Sequence, residues 1–329
     1  SVWVGPFCWT QPALCATPFA IEMINITNTA AHANFASSGA ETFDLEVGLP
    51  CFVPEAGEEV LALYDEDSAP IYMTGLEHTT PYWVYVRAIC GVDSVSAWSD
   101  PILFGTHIIN DDPCDAIELT IDGPAQLRHN FDATVLPGET AIAPPVADCY
   151  SSDGWCAGDG VDRTVWFKFT APASGQVAVN TFDESTCQTN FYTEVAVYST
   201  GDCGIISNFV PQYANTLAPG ADGDDAPFGS ELTACGLTPG TEYYIMVNPV
   251  AYVSADIHFT ISLSSVEEIA AGLGLDPNIC AGSTYDLFDA IAGYSDEGGT
   301  WYNPSVADGN ELPNLVGFPD FEGDFPFYY

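Results

Sequence analysis

Oxygen and sulfur carry whatever chemistry this sequence can do. The densest set of oxygen donors is the run from Ala221 to Glu231, where Asp222, Asp224, Asp225 and Glu231 sit among glycine, alanine and proline. Calcium is a hard cation that takes six to eight oxygens from carboxylates and backbone carbonyls, so a Gly-rich acidic loop is the kind of segment that can wrap one. The run lacks the full EF-hand spacing, and a solvated acidic loop is the alternative reading. Lesser clusters are Asp65 with Asp67, Asp111 with Asp112 and Asp115, and Asp153 with Asp159 and Asp162. Sulfur comes as eleven cysteines spread along the chain, with no pair of Cys-x-x-Cys motifs at zinc spacing. In a lysine-poor chain rich in glycine and proline, they read as disulfides formed in an oxidising compartment, with buried free thiols as the alternative. The odd count leaves one without a partner inside the chain.

Catalytic sets are missing from the sequence. There is no Gly-x-Ser-x-Gly, no His-Glu-x-x-His, no phosphate-binding loop and no dinucleotide fingerprint. The five histidines, His32, His78, His107, His129 and His258, are far apart in sequence and read as strand or loop residues. Carboxylates are so abundant that a close pair, as a glycosidase uses, carries little weight. Trp3, Trp9, Trp98, Trp155 and Trp301 admit a sugar-stacking platform, but core and strand-cap roles account for them better.

The charge balance narrows the partners. Forty-six acids face four bases, Arg87, Arg128, Arg163 and Lys168, for a net charge of −42. A surface of that sign repels nucleic acid and anionic membranes. It also repels itself, so folding or assembly should lean on salt or divalent cations. A general lysine poverty of a marine or halophilic source is the competing explanation. No apolar run approaches the roughly 20 residues of a membrane helix, so membrane insertion is not expected.

The elements that must position these groups are strands. Short alternating runs rich in Val, Ile, Thr, Tyr and Phe are punctuated by Gly, Pro, Asn and Asp, which predicts an all-β chain of tandem β-sandwich domains. Residues 163–169 put Val165, Phe167 and Phe169 on one face and Trp166 and Lys168 on the other. Residues 82–87 and 242–247 alternate in the same way. The only helix candidate is Ser265–Leu273. A repeat also shows: Ser1-x-Trp3-x-x-Pro6-x-x-Trp9 matches Ser96-x-Trp98-x-x-Pro101-x-x-Phe104. The second copy closes a domain, so residues 1–12 read as the closing strand of a preceding one.

Residues 13–108 resemble a fibronectin type III module. The likeness is carried by Cys15-Ala-Thr-Pro18, Ile24-Asn-Ile-Thr27, Leu76-x5-Tyr82, Val84-Tyr-Val-Arg87-Ala-Ile-Cys90-Gly91 and Ser96-Ala-Trp98. It implies that Tyr82 is the corner tyrosine, that Phe35 stands in the strand-B aromatic position, and that Cys15 pairs with Cys90, leaving Cys51 without an obvious partner. Residues 109–264 resemble the pre-peptidase C-terminal type of jelly-roll-like sandwich, on Asn110–Ala116, Val165–Pro172, Ala196-Val-Tyr198 and Leu237–Ile245. Its six cysteines allow 15 pairings, of which Cys149–Cys156, Cys187–Cys203 and Cys114–Cys235 is one. The resembled family has an acidic site with an aspartate before the Ala-Val-Tyr strand. Tyr192 stands there in this sequence and Glu194 lies close by, adding Glu194 to the calcium candidates. Residues 265–329 comprise a linker and an incomplete immunoglobulin-like domain, on Cys280–Leu287, Gly293-Tyr-Ser and Gly298-Gly-Thr-Trp301.

These likenesses are to repeats of giant secreted surface proteins of gliding Bacteroidota-like bacteria. They imply a secreted, extracellular, non-catalytic segment of an adhesin, stalk or filament, exported by a type IX-like route. A homo-oligomer or self-assembling filament is expected, with glycans or proteins of another cell as partners. The rival expectation is a carbohydrate-binding or spacer region beside a secreted hydrolase.

Overall fold

The computed structural model describes residues 15–146, 154–155, 160–181, 193–215, 229–250 and 256–266, together with short strands between 284 and 317. The chain divides into two compact units, Ser1–His107 and Ile108–Tyr329.

The first unit is a sandwich of two antiparallel sheets. β1 (Phe19–Ile24), β2 (Ala30–Ala36) and β5 (Ile71–Thr74) form one, in the order β1-β2-β5. β3 (Thr42–Gly48), β4 (Leu61–Glu66), β6 (Pro81–Gly91), β7 (Ser94–Val95) and β8 (Ile102–Gly105) form the other, in which β6 pairs with β3, β7 and β8. Alternation decides which side chains meet between the sheets. Ala31, Ala33 and Phe35 of β2, Ile71 and Met73 of β5, Phe43, Leu45 and Val47 of β3, and Tyr82, Val84, Val86 and Ala88 of β6 form one buried cluster with Phe104. Phe35 fills the strand-B place and meets Phe43 edge to face at 4.8 Å.

The second unit is a larger sandwich. Its strands are β9 (Ile117–Glu118), β10 (Gln126–His129), β11 (Val165–Thr170), β12 (Val177–Asn180), β13 (Thr193–Ser199), β14 (Val210–Asn215), β15 (Glu231–Ala234), β16 (Glu242–Pro249) and β17 (His258–Ser265). They form a five-stranded sheet ordered β14-β13-β16-β11-β9 and a four-stranded sheet ordered β10-β17-β12-β15. Val165, Phe167 and Phe169 face inward as their alternation predicts, against Val179, Phe259 and Ile261 of the opposite sheet. The other face of β11 departs from the simple in–out pattern. Trp166 is fully buried, because the outside of the five-stranded sheet carries a second cluster of Trp155, Trp166, Tyr198, Phe209, Tyr244 and Met246 with Ile142.

That outer layer holds α1 (Glu139–Ile142), a single helical turn where no helix was expected. The predicted helix at Ser265–Leu273 falls outside the described residues from position 267 on. Past it, β18 (Thr284–Asp286) pairs with β21 (Leu315–Gly317), and β19 (Trp301–Tyr302) pairs with β20 (Glu311–Leu312), all antiparallel. The described chain is thus all-β in the sense the sequence predicts.

Candidate functional site

The polar groups of unit 1 gather on the outward face of the sheet formed by β3, β4 and β6. The pleat turns Asp44 and Glu46 of β3 toward Arg87 and Tyr85 of β6. Both carboxylates are buried there. Asp44 accepts hydrogen bonds from the Arg87 Nε–H at 2.9 Å and the Asp65 amide at 3.1 Å. Glu46 accepts from the Tyr64 hydroxyl and the Glu55 amide, each at 2.8 Å. Arg87 also pairs with Glu55 and lies 4.5 Å over the Trp98 ring. The bond to Glu46 and the surrounding carboxylates push the Tyr64 phenol up to about 12. Every member of this network has its partner inside the unit, and its geometry is that of a brace.

Tyr82 and Tyr243 perform one job in two places. The Tyr82 hydroxyl accepts the Glu77 amide at 2.9 Å, and the Tyr243 hydroxyl accepts the Thr238 amide at 3.0 Å, each five residues back. Tyr82 is the corner tyrosine that the resemblance implies. Its twin in unit 2 has the same sequence frame: Gly75-Leu76-x5-Tyr82 and Gly236-Leu237-x5-Tyr243. Both glycines have positive φ, and so do Thr79 and Gly240, three residues past each leucine. Aligning those two segments reveals the second corner from sequence alone.

Glu139 is the most enclosed acid of unit 2. Its carboxylate accepts from the Trp166 indole at 2.7 Å, the Thr164 hydroxyl at 2.8 Å and the Leu136 amide at 2.8 Å. Burial raises its pKa against those three bonds. Sequence reasoning did not single it out. Its only signal is an acid at the start of a short turn, Leu136-Pro-Gly-Glu139.

The calcium candidates do not converge among the described residues. Asp222, Asp224 and Asp225 lie outside them. Glu194 shares its face of β13 with Ala196 and Tyr198, on the outside of the five-stranded sheet, and bonds the Asn248 amide nitrogen at 2.8 Å. Glu231 is on β15 of the opposite sheet, where Leu232 and Ala234 point inward, so the pleat sends Glu231 outward from the far side. The two glutamates therefore face away from each other across the sandwich. No group of three or more His, Cys, Asp or Glu suited to a metal occurs among the described residues.

Of the lesser acidic clusters, Asp153 and Asp159 lie outside the described residues, and the cluster at Asp111 and Asp112 has backbone duties. Asp111 accepts from the amide and the hydroxyl of Thr134, both at 2.7 Å, and Asp112 caps the turn at Pro113–Asp115 through the Cys114 amide at 2.8 Å. Asn110 bonds the main chain of Trp166. The opening motif of the second unit is thus a set of caps. The histidines are less scattered than their spacing suggests: His129 and His258 are direct partners across the β10–β17 ladder, both buried. Desolvation drops the His258 pKa to about 4. Trp155 is buried and donates to the Val195 carbonyl at 3.1 Å, a core role as expected.

The disulfides resolve in part. Cys15 bonds Cys90, with a Cα–Cα distance of 5.7 Å. Cys114 bonds Cys203 at 5.0 Å, so neither Cys114–Cys235 nor Cys187–Cys203 forms. The reason is layer geometry. Cys114 precedes Ala116, and both Ala116 and Cys203 pack on the outer cluster of the five-stranded sheet. Cys235 instead follows β15 of the opposite sheet. Cys235 and Cys51 are also disulfide-bonded, which corrects the expectation of a partnerless Cys51; their partners lie outside the described residues. Cys149, Cys156 and Cys187 lie outside them too. The disulfides fit an oxidising environment, and no helix among the described residues is long and apolar enough to cross a membrane.

No protein-family model matches the chain, and no curated protein matches it. Among solved structures, the fibronectin type III domain of human collagen α-1(XX) is 21% identical over 30% of this chain and 90% of its own, at a TM-score of 0.24. A two-domain fibronectin type III segment of chicken tenascin is 11% identical over 75% of this chain and 99% of its own, also at 0.24. A chitinase from Bacillus thuringiensis is 11% identical over 77% of this chain and 30% of its own, again at 0.24. Scores this low carry no argument about activity or partner. What the coordinates themselves define is an all-β protein of sandwiches, each with a disulfide inside it.

Proposed function

We propose that the chain is a structural or adhesive segment of a long extracellular modular protein, part of a cell-surface adhesin, stalk or filament. One observation carries this reading: the prominent buried polar groups of both units hold backbone. Glu46 and Glu139 brace loops and Tyr82 and Tyr243 lock corners, while Asp111 and Asp112 cap turns nearer the surface. Such a molecule is built to keep its shape. Its role is non-catalytic, and its export is by a type IX-like route. Assembly is with further copies of itself, or with glycans or proteins of another cell.

Electron microscopy of native material tests the role. Ordered fibres or stalks labelled by an antibody to this chain support it. A soluble enzyme containing the chain, with a protease or glycosidase domain in the same reading frame, replaces it with the accessory reading. That rival is favoured by Trp83 and Tyr85 on the outward sheet face of unit 1, ring centroids 6.3 Å apart, with the buried loop residue Phe52 behind Tyr85 at 5.1 Å. Calcium remains part of the proposal through the loop of Asp222, Asp224 and Asp225. Chelation is expected to lower the melting temperature, and an unchanged melt in EDTA would remove it.

A further inference from the structure

We infer that the disulfides route tension around most of each sandwich, making the chain a tether of limited extension. The inference rests on the reading that the chain carries load. The observation behind it is where the bridges sit relative to the strands.

A pull applied between the residues before Cys15 and those after His107 does not follow the chain. It crosses from Cys15 to Cys90 through sulfur. The strands from β1 to nearly the end of β6 hang in a covalent loop of 75 residues that lies outside the covalent load path. Only the run from Cys90 through β7 and β8 to His107 lies in the load path.

Register fixes how that run is loaded. β8 is antiparallel to β6, with Ile102 opposite Val84 and Gly105 opposite Pro81, so β8 leaves the sheet at the end of β6 away from Cys90. The ladder bonds lie across the strands. Tension therefore slides β8 lengthwise along β6 and strains those bonds together, instead of opening them one at a time. Side chains fasten the same run to the shielded body. The Ser96 and Ser99 hydroxyls accept the Ala88 and Val86 amides at 2.9 and 3.1 Å. The Thr106 hydroxyl donates to the Glu77 carbonyl at 2.6 Å, and the His107 amide donates to the Thr27 carbonyl at 3.0 Å.

Unit 2 repeats the device on a different fold. Cys114–Cys203 encloses 89 residues, taking α1 and every strand from β9 to β13 out of the path. Cys51 and Cys235 are bonded as well, and an added bridge can only shorten the oxidised path further, so the extension released from these two loops is a lower bound.

The test uses the full chain, held by its two ends between optically trapped beads in non-reducing buffer. It is pulled through all its unfolding events, then held at constant force while a small thiol reductant is introduced. Opening both loops should lengthen the tether by at least roughly 550 Å, at the reach of an extended chain. The Cys15→Ser, Cys90→Ser double variant should shift into the initial, unreduced pull whatever part of the first loop's gain the Cys51 bridge does not itself hold. Should that variant fail to fold, the wild-type reductant step still decides. An oxidised chain that already reaches full contour length, or a reductant that adds nothing, overturns the inference. Fibres absent from micrographs would sink the role while leaving this device standing, so the two failures are told apart.

Discussion

At the scale of single residues, two buried titratable groups set opposite terms in the stability of unit 2. Glu139 is fully enclosed, and the groups that meet its charge are the three hydrogen-bond donors of Trp166, Thr164 and Leu136. Two of them reach one oxygen and the third reaches the other. Glu139→Gln must turn an amide NH2 toward at least one donor and so leave that donor unsatisfied. It should cost about 1–3 kcal/mol, read as a lower denaturant midpoint at pH 7. His258 works through pH. Its folded pKa is lowered to about 4 by burial, against the ordinary 6.5. Between those values the unfolded chain binds a proton that the folded chain refuses, so stability is whole above pH 6.5 and declines as pH falls toward 4, by up to about 3 kcal/mol. Denaturation of wild type and His258→Gln at pH 7 and pH 4.5 isolates this part as the difference of differences. Equal losses in the two proteins would show that His258 is not its source.

At the scale of elements, the two corners make a paired prediction. In each unit the chain leaves one sheet and enters the other between strands, β5 to β6 and β15 to β16, and a tyrosine hydroxyl accepts an amide of that crossing. Tyr82→Phe and Tyr243→Phe should each remove about 1–2 kcal/mol and lower only the unfolding transition of their own unit. A loss shared by both transitions would contradict the separate corners. The corner is also where the sequence was most legible. Tyr82 was readable because its spacing from Leu76 is local, and the Val165–Phe169 alternation was readable because the pleat has a period of two residues. What stayed hidden depends on contacts distant along the chain. Nothing local tells Cys114 that Cys203 is its neighbour, 89 residues on. Nor does alternation reveal that the second face of β11 is covered, since Trp166 on a strand reads alike under solvent or under α1. The Asp111 and Asp112 pattern looked like cation ligands because carboxylates that cap amides and carboxylates that bind metal share one residue type.

At the scale of the whole molecule, the shortage of bases decides the behaviour. Each of the four is already engaged within its unit: Arg87 with Asp44 and Glu55, Arg163 with Asp256, Lys168 with Glu242, and Arg128 with Gln126 and the Leu127 carbonyl. No base is left among these side chains to relieve the other acids, and the net charge is −42. Self-repulsion of this size is long-ranged at low salt, where the screening length is about 30 Å near 0.01 M, and is largely gone near 1 M, where it is about 3 Å. The melting temperature should therefore climb with sodium chloride across that range, and association of copies should climb with it. The proposed calcium site makes a separable prediction. At matched ionic strength, a true site made by Asp222, Asp224 and Asp225 raises the melt at calcium concentrations far below those at which magnesium acts, and Asp224→Asn abolishes the difference. If calcium and magnesium trace one curve in both proteins, the divalent response is screening of the polyanion and the acidic loop is a solvated surface.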